Sequence, residues 1–175
     1  MSVEKLNSAE AAAAQHMLLQ CCTSEVWIQR MIERRPYASG QALRDYADAA
    51  WRDLAEADYL QAFDGHPKIG DVSSLKAKYA NTKELAAREQ SGVDTATDGV
   101  IEKLAAGNGA YDKKFGFIFI VCATGKSAQE MSDLLQQRLP NDRDTELRNA
   151  AEEQRKIFQL RLNQLLDADQ HTPGR

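Results

Sequence analysis

Phe115-Gly-Phe-Ile-Phe-Ile-Val-Cys-Ala123 decides the fold class, because this stretch speaks for a β-strand in a chain that otherwise reads as helix. It is apolar throughout and rich in aromatic and β-branched residues, a composition that locally favours strand. A single strand, however, has nothing to pair with in this sequence, and its backbone donors and acceptors need partners. The segment is therefore expected to be buried, either as an extended stretch or as a helix imposed by tertiary packing.

On both sides of it the patterning is helical. Asn7 and Ser8, with Glu10 close behind, are the expected N-caps of a helix over Ala11–Gln20. Ser24 caps a second helix in which Trp27 and Met31, then Ile28 and Ile32, repeat at four-residue spacing until Pro36 ends it. Leu43, Tyr46, Ala47, Ala50 and Leu54 form the apolar stripe of a third, and a short fourth runs from Glu56 to Phe63 and stops at Gly65. Past the Gly65–Asp71 loop, a helical stretch carries Leu75 and Tyr79, and Asn81 or Thr82 caps another that ends at Ser91-Gly92. Val100, Ile101 and Leu104 predict a further turn or two, broken by Gly107-Asn-Gly109. Ser127-Ala-Gln-Glu130 is a capping box for a helix that Pro140 closes, and a last long helix runs from around Thr145 to Leu166.

Composition narrows the function classes. With 175 residues, 43% hydrophobic and 27% charged, the chain is long and apolar enough to bury a core as one domain. A net charge of -4 supplies no basic footprint for nucleic acid. No apolar run has the length of a membrane span, neither terminus reads as a targeting signal, and cytoplasm is the expected location. Cys21, Cys22 and Cys122 do not have metal-ligand spacing and are expected to be reduced, small apolar residues. His16, His66 and His171 are too scattered to build a metal site, so no metal is expected.

Three residues stand out chemically. His66 lies in Phe63-Asp-Gly-His-Pro-Lys-Ile-Gly-Asp71, where Gly65 frees the backbone and Pro67 steers the histidine out of helical geometry. An imidazole on a loop at a helix end, with an ordinary pKa near ~6.5, can exchange protons at neutral pH. Glu89 borders an apolar face near a helix C-terminus, and both settings favour a raised carboxyl pKa. Arg161 falls inside the apolar stripe Leu147, Ala151, Phe158 and Leu165, with Ala150 and Ile157 along its edge, and a guanidinium there needs an acid or an anionic ligand. Each has a plain alternative: a turn histidine, a solvated glutamate, a snorkelling or purely structural arginine.

Taken together, Trp27 through Arg34-Arg-Pro36, Ala62 through Asp71, Arg88-Glu-Gln-Ser-Gly92, Asn108 through Phe119 and Glu146 through Leu162 resemble the OHCU decarboxylases. OHCU is 2-oxo-4-hydroxy-4-carboxy-5-ureidoimidazoline, the last intermediate between urate and (S)-allantoin. The resemblance implies an all-α fold, a homodimer and no cofactor; a single compact multi-helix domain is expected over residues 1–170, with a disordered 171–175 tail. It places the catalytic histidine at His66, its acidic partner at Glu89, the neighbouring amide at Gln90 and a late arginine at Arg161. Pro67 and the stretch Phe117, Ile118, Phe119 and Ile120 would line the substrate pocket. Ile118 stands where some members carry proline, a departure in the pocket wall. The implied reaction sends the electrons released with carbon dioxide into the adjacent ring imine, so no external electron sink is required. Functional coupling to an upstream hydroxyisourate hydrolase fits this setting. Two readings from other classes are a non-catalytic helical ureide or purine-metabolite binding protein, and an interaction protein that docks through Phe115–Val121.

Overall fold

Serine hydroxyls open the first helices. The computed structural model describes residues 2–66, 72–77 and 94–167, and these contain helix and irregular chain without a β-strand. Ser2, Ser24 and Ser39 precede α1 (Val3–Ser8), α3 (Glu25–Glu33) and α4 (Gly40–Trp51), and each Oγ accepts the backbone N–H three residues on. Each bond satisfies a donor that a helix start leaves orphaned, worth about 1 kcal/mol. α2 (Ala11–Leu19) begins at Glu10 without a side-chain cap, whereas at α5 (Glu56–Asp64) Asp58 Oδ2 accepts from Ala55 N at 3.1 Å.

Asn7 and Ser8 do not cap α2, contrary to expectation, and they belong to α1, which the sequence pattern does not announce. Ser8 Oγ donates to the Glu4 carbonyl, and the Asn7 amide exchanges two 2.8 Å bonds with the Tyr37 backbone. A partner thirty residues away claims the side chain that local propensity assigns to a cap.

Two compact units divide the chain. The first comprises Met1–His66 and Ala151–Arg175 within the described residues, and its core gathers Leu6, Leu18, Trp27, Leu43, Trp51 and Phe158, all buried. The Phe158 ring lies 5.0 Å from Trp27 and 5.6 Å from Trp51. Both indole N–H groups are satisfied at 3.0 Å, Trp27 by the Ala47 carbonyl and Trp51 by that of Ala151, as buried polar atoms require.

The second unit, Pro67–Ala150, holds α6 (within 72–77), α7 (Asp94–Phe115), α8 (Ala128–Arg138) and the start of α9 (Arg143–Asp167). α7 runs unbroken through Gly107-Asn108-Gly109, where the sequence predicts a break. The reason is contact with α8: a Cβ on Gly107 would lie 2.4 Å from Leu135 Cδ2. Close approach of the two helices offsets the roughly 1 kcal/mol that glycine costs a helix. Ser127 Oγ opens α8 by accepting from Glu130 N at 3.2 Å, the serine half of the expected capping box, and Asp142 opens α9 through Thr145 N at 2.8 Å.

Between α7 and α8 the apolar stretch that begins at Phe115 leaves the helix at Gly116 and is neither helix nor ladder strand. Its carbonyls find cationic side chains instead of a second strand. Arg138 Nη1 donates to Ile120 O at 2.6 Å, Lys126 Nζ to Cys122 O at 2.9 Å, and Arg143 Nε to Phe115 O at 3.2 Å. Phe117 and Ile120 are buried, while Ile118 and Phe119 are half-buried. No helix among the described residues is long and apolar enough to cross a membrane.

Candidate active site

His66 stands two residues beyond α5, on a turn that its own main chain ties down: His66 N donates to the Phe63 carbonyl at 3.1 Å. Gly65 before it has a helical φ of -71°, so the backbone freedom expected of this glycine is not used. Its missing side chain is what counts. A Cβ there would lie 2.2 Å from Thr23 Oγ1, and that hydroxyl donates to the Gln61 carbonyl at 3.0 Å, seating Thr23 on the last turn of α5.

The half-buried imidazole meets a buried amide. His66 Nε2 and Gln154 Oε1 are 2.5 Å apart, and Gln154 is only 1% exposed. An amide oxygen accepts and never donates, so in this pair the ring nitrogen Nε2 is the donor. Gln154 belongs to the buried ridge of α9, Glu146, Ala150, Gln154, Phe158 and Leu162, which repeats every four residues.

Arg161 follows Gln154 by seven residues and shares its face, roughly 10 Å further along the axis. It is half-buried, and its Nη1 donates to the Cys21 carbonyl at 3.3 Å. Among the described residues no carboxylate pairs with it. Beside it, burial pushes the Cys21 and Cys22 thiols up to about 12 against the pull of the Arg161 charge, which keeps both protonated. Pro67, Glu89 and Gln90, three of the expected site residues, lie outside the described residues, as does the 171–175 tail. Among the described residues no cluster of three His, Cys, Asp or Glu is placed to hold a metal ion.

In the second unit, Phe117, Ile118, Phe119 and Ile120 are secured by a polar network that sequence reasoning missed. Glu146, fully buried, accepts from Tyr111 Oη, and from Arg138 Nε, Asn141 Nδ2 and Asn149 Nδ2 at 2.9 Å each. Burial by itself would raise its carboxyl pKa; the donors Asn141, Tyr111 and Asn149 and the Arg138 charge outweigh burial and hold it below the ordinary range. Burial first, and then the bond to Glu146, push the Tyr111 phenol up, so it stays protonated. The Arg138 guanidinium sits 4.7 Å from the Phe119 ring while bonding the Ile120 carbonyl, so one side chain grips two successive residues of the stretch. The sequence signal for both Glu146 and Gln154 is a polar residue at four-residue spacing on a ridge with Ala150, Phe158 and Leu162.

Comparison with known proteins is consistent along the chain. A sequence model of the OHCU decarboxylase family matches residues 7–163. The uric acid degradation bifunctional protein TTL of Arabidopsis thaliana is 34% identical over 145 residues, covering 83% of this chain and 45% of that protein. The uric acid degradation bifunctional protein of Bacillus sp. (strain TB-90) is 29% identical over 172 residues, covering 94% of this chain and 32% of that one. The chain thus spans less than half the length of these two relatives. An OHCU decarboxylase crystallised in the presence of (S)-allantoin superposes with a TM-score of 0.67 at 31% identity, over 91% of this chain and 99% of that one.

Proposed function

The chain belongs to the OHCU decarboxylase family, and from that premise we propose that it is a carboxy-lyase converting 2-oxo-4-hydroxy-4-carboxy-5-ureidoimidazoline to (S)-allantoin in urate catabolism, without a cofactor. The observation that carries this reading is the His66–Gln154 pair: an imidazole seated at a helix end, with one ring nitrogen held by a buried neutral amide. In the reaction the bond from the ring carbon to its carboxylate breaks, and carbon dioxide leaves. The electron pair forms a ring C=C as the neighbouring imine nitrogen takes up a proton. The hydroxyl on the former carboxylate carbon then loses its proton to become the ring carbonyl, and the ureido carbon receives a proton on one face. His66 serves as the general acid/base nearest the hydroxyl, a role worth about 10²–10⁴-fold. Glu89 orients His66 or holds the ureido group, Gln90 bonds the ureido or ring amide, and Arg161 compensates anionic charge. The wall role of Pro67, Phe117, Ile118, Phe119 and Ile120 follows from the family likeness alone.

We place the enzyme in the cytoplasm as a homodimer supplied by a hydroxyisourate hydrolase, and the bifunctional relatives in uric acid degradation support that coupling. The test generates OHCU in situ from urate and follows its ultraviolet decay and the chirality of the allantoin, with and without the protein. Accelerated decay with only the (S) product is expected, and His66→Asn should lower the rate about 10²–10⁴-fold while the fold is retained. Decay at the uncatalysed rate defeats the proposal, and allantoin binding without turnover identifies a carrier instead.

A further inference from the structure

We infer that Arg138 is a positioning residue for the reaction: anchored on the buried carboxylate of Glu146, it fixes the Phe119–Ile120 part of the substrate-lining stretch and thereby sets the affinity for substrate. The inference rests on the wall role proposed for Phe117, Ile118, Phe119 and Ile120 and adds to it the residue that keeps that wall in place.

The first ground is how the guanidinium is spent. Arg138 ends α8, and its side chain is only 11% exposed. Nε and Nη2 both lie 2.9 Å from Glu146 Oε2, while the remaining nitrogen, Nη1, donates to Ile120 O at 2.6 Å. The same planar group sits 4.7 Å from the Phe119 ring. Planarity carries the consequence: with Nε and Nη2 fixed by the carboxylate, the direction of Nη1 is fixed too. Glu146 therefore decides where the Ile120 carbonyl is held.

Energetics supply the second ground. Glu146 also accepts from Tyr111, Asn141 and Asn149, so its carboxylate has neutral donors besides Arg138. A buried ion pair adds little net stability over an apolar pair of similar volume. What it provides, and an apolar pair cannot, is a directed cationic donor at the end of α8.

The third ground is place. Among the described residues the stretch has no ladder partner, and Arg143 and Lys126 bond carbonyls at its two ends, Phe115 and Cys122. Arg143 is exposed, whereas Arg138 grips the interior of the stretch from a buried anchor. Tyr111, bonded to the same Glu146, sets its ring 5.3 Å from Phe119 and 5.9 Å from Phe117. One carboxylate thus governs a carbonyl and two rings of the proposed wall.

The test measures steady-state kinetics on OHCU, and (S)-allantoin affinity by calorimetry, for the full-length parent, Arg138→Lys and the double variant Arg138→Met/Glu146→Gln. The double variant strands no buried charge, so it avoids the main cause of misfolding at this site. Lys keeps a cation beside Glu146 but not the planar fork, and it serves as the second variant. The double variant should raise KM and weaken allantoin binding about tenfold, the value of one charge-assisted hydrogen bond, with a smaller fall in kcat; Lys should raise KM about threefold. A purely structural role gives the opposite split, because a partly unfolded sample lowers apparent kcat while the folded molecules keep the parental KM and affinity. Parental KM and affinity in the variants that fold, as checked by circular dichroism, overturn the inference. A parent that leaves OHCU to decay at its uncatalysed rate overturns the decarboxylase reading instead, and the change in allantoin affinity then still decides the role of Arg138, so the two failures are separable.

Discussion

Glu146 and Gln154 lie eight residues apart on the same buried ridge of α9, yet they are buried on different terms. Glu146 keeps its charge and is surrounded by Tyr111, Arg138, Asn141 and Asn149. Gln154 is neutral, and its carbonyl oxygen faces a histidine ring. A buried charge is tolerable only when it is saturated, and saturation freezes it: Glu146 can hold a loop in place but cannot take part in proton exchange at neutral pH. A neutral acceptor leaves the protonation state of its partner adjustable. One end of the ridge therefore holds a saturated charge and the other a neutral acceptor.

The strongest way to break this contrast is Arg138→Ala. It strands the Glu146 carboxylate and releases the Ile120 carbonyl, and should cost about 3–5 kcal/mol in denaturant unfolding. Gln154→Leu, at the other end, should change stability by no more than about 1 kcal/mol. Equal stability losses for the two variants would erase the distinction.

Acid should act on the charged end. The folded pKa of Glu146 lies below the ordinary value of 4.5, so its contribution to stability is fully present above about pH 4.5 and is lost as pH falls through the depressed folded value. A thermal-melt series from pH 7 downward should show that loss, and Glu146→Gln should flatten its part of the slope; an unchanged slope would mean that the carboxylate is not what acid attacks.

Smaller effects sharpen the account of how the second unit is held. Gly107→Ala should destabilise by about 1–3 kcal/mol, because its Cβ meets Leu135 at 2.4 Å. Gly109→Ala, with nothing within 4 Å of its Cβ, should instead stabilise by about 0.5–1 kcal/mol. The opposite signs, read by thermal unfolding, test whether close helix packing explains the unbroken α7.

Much of the helical framework was legible because its determinants are local. Ser24, Ser127 and the apolar spacing around Trp27 and Met31 act within a few residues. The failures share a cause in contacts distant along the chain. Gly107 reads as a breaker until Leu135 is beside it, and Asn7 reads as a cap until Tyr37 claims it. Phe115–Ala123 left extended chain and helix both open because Arg138 and Arg143, which hold its carbonyls, lie 18 and 28 residues from their partners. Arg161 reads as a polar residue in an apolar stripe, whereas Gln154 and Glu146, on the ridge that is buried, read as solvated by default because one is an uncharged amide and the other a helix glutamate.

The tethering of Phe115–Ala123 by cations also bears on the fate of the unfolded chain. Six or seven apolar, aromatic and β-branched residues in a row, with no proline among them, are the kind of segment that zips into cross-β stacks when several copies meet. In the folded protein Arg138, Lys126 and Arg143 occupy carbonyls that a neighbouring chain would otherwise use, and Lys113, Lys114 and Lys126 flank the segment as gatekeepers. Once heat releases those side chains the stretch is open to such pairing, and a thermal half-life measured on this protein is expected to follow the rate of opening.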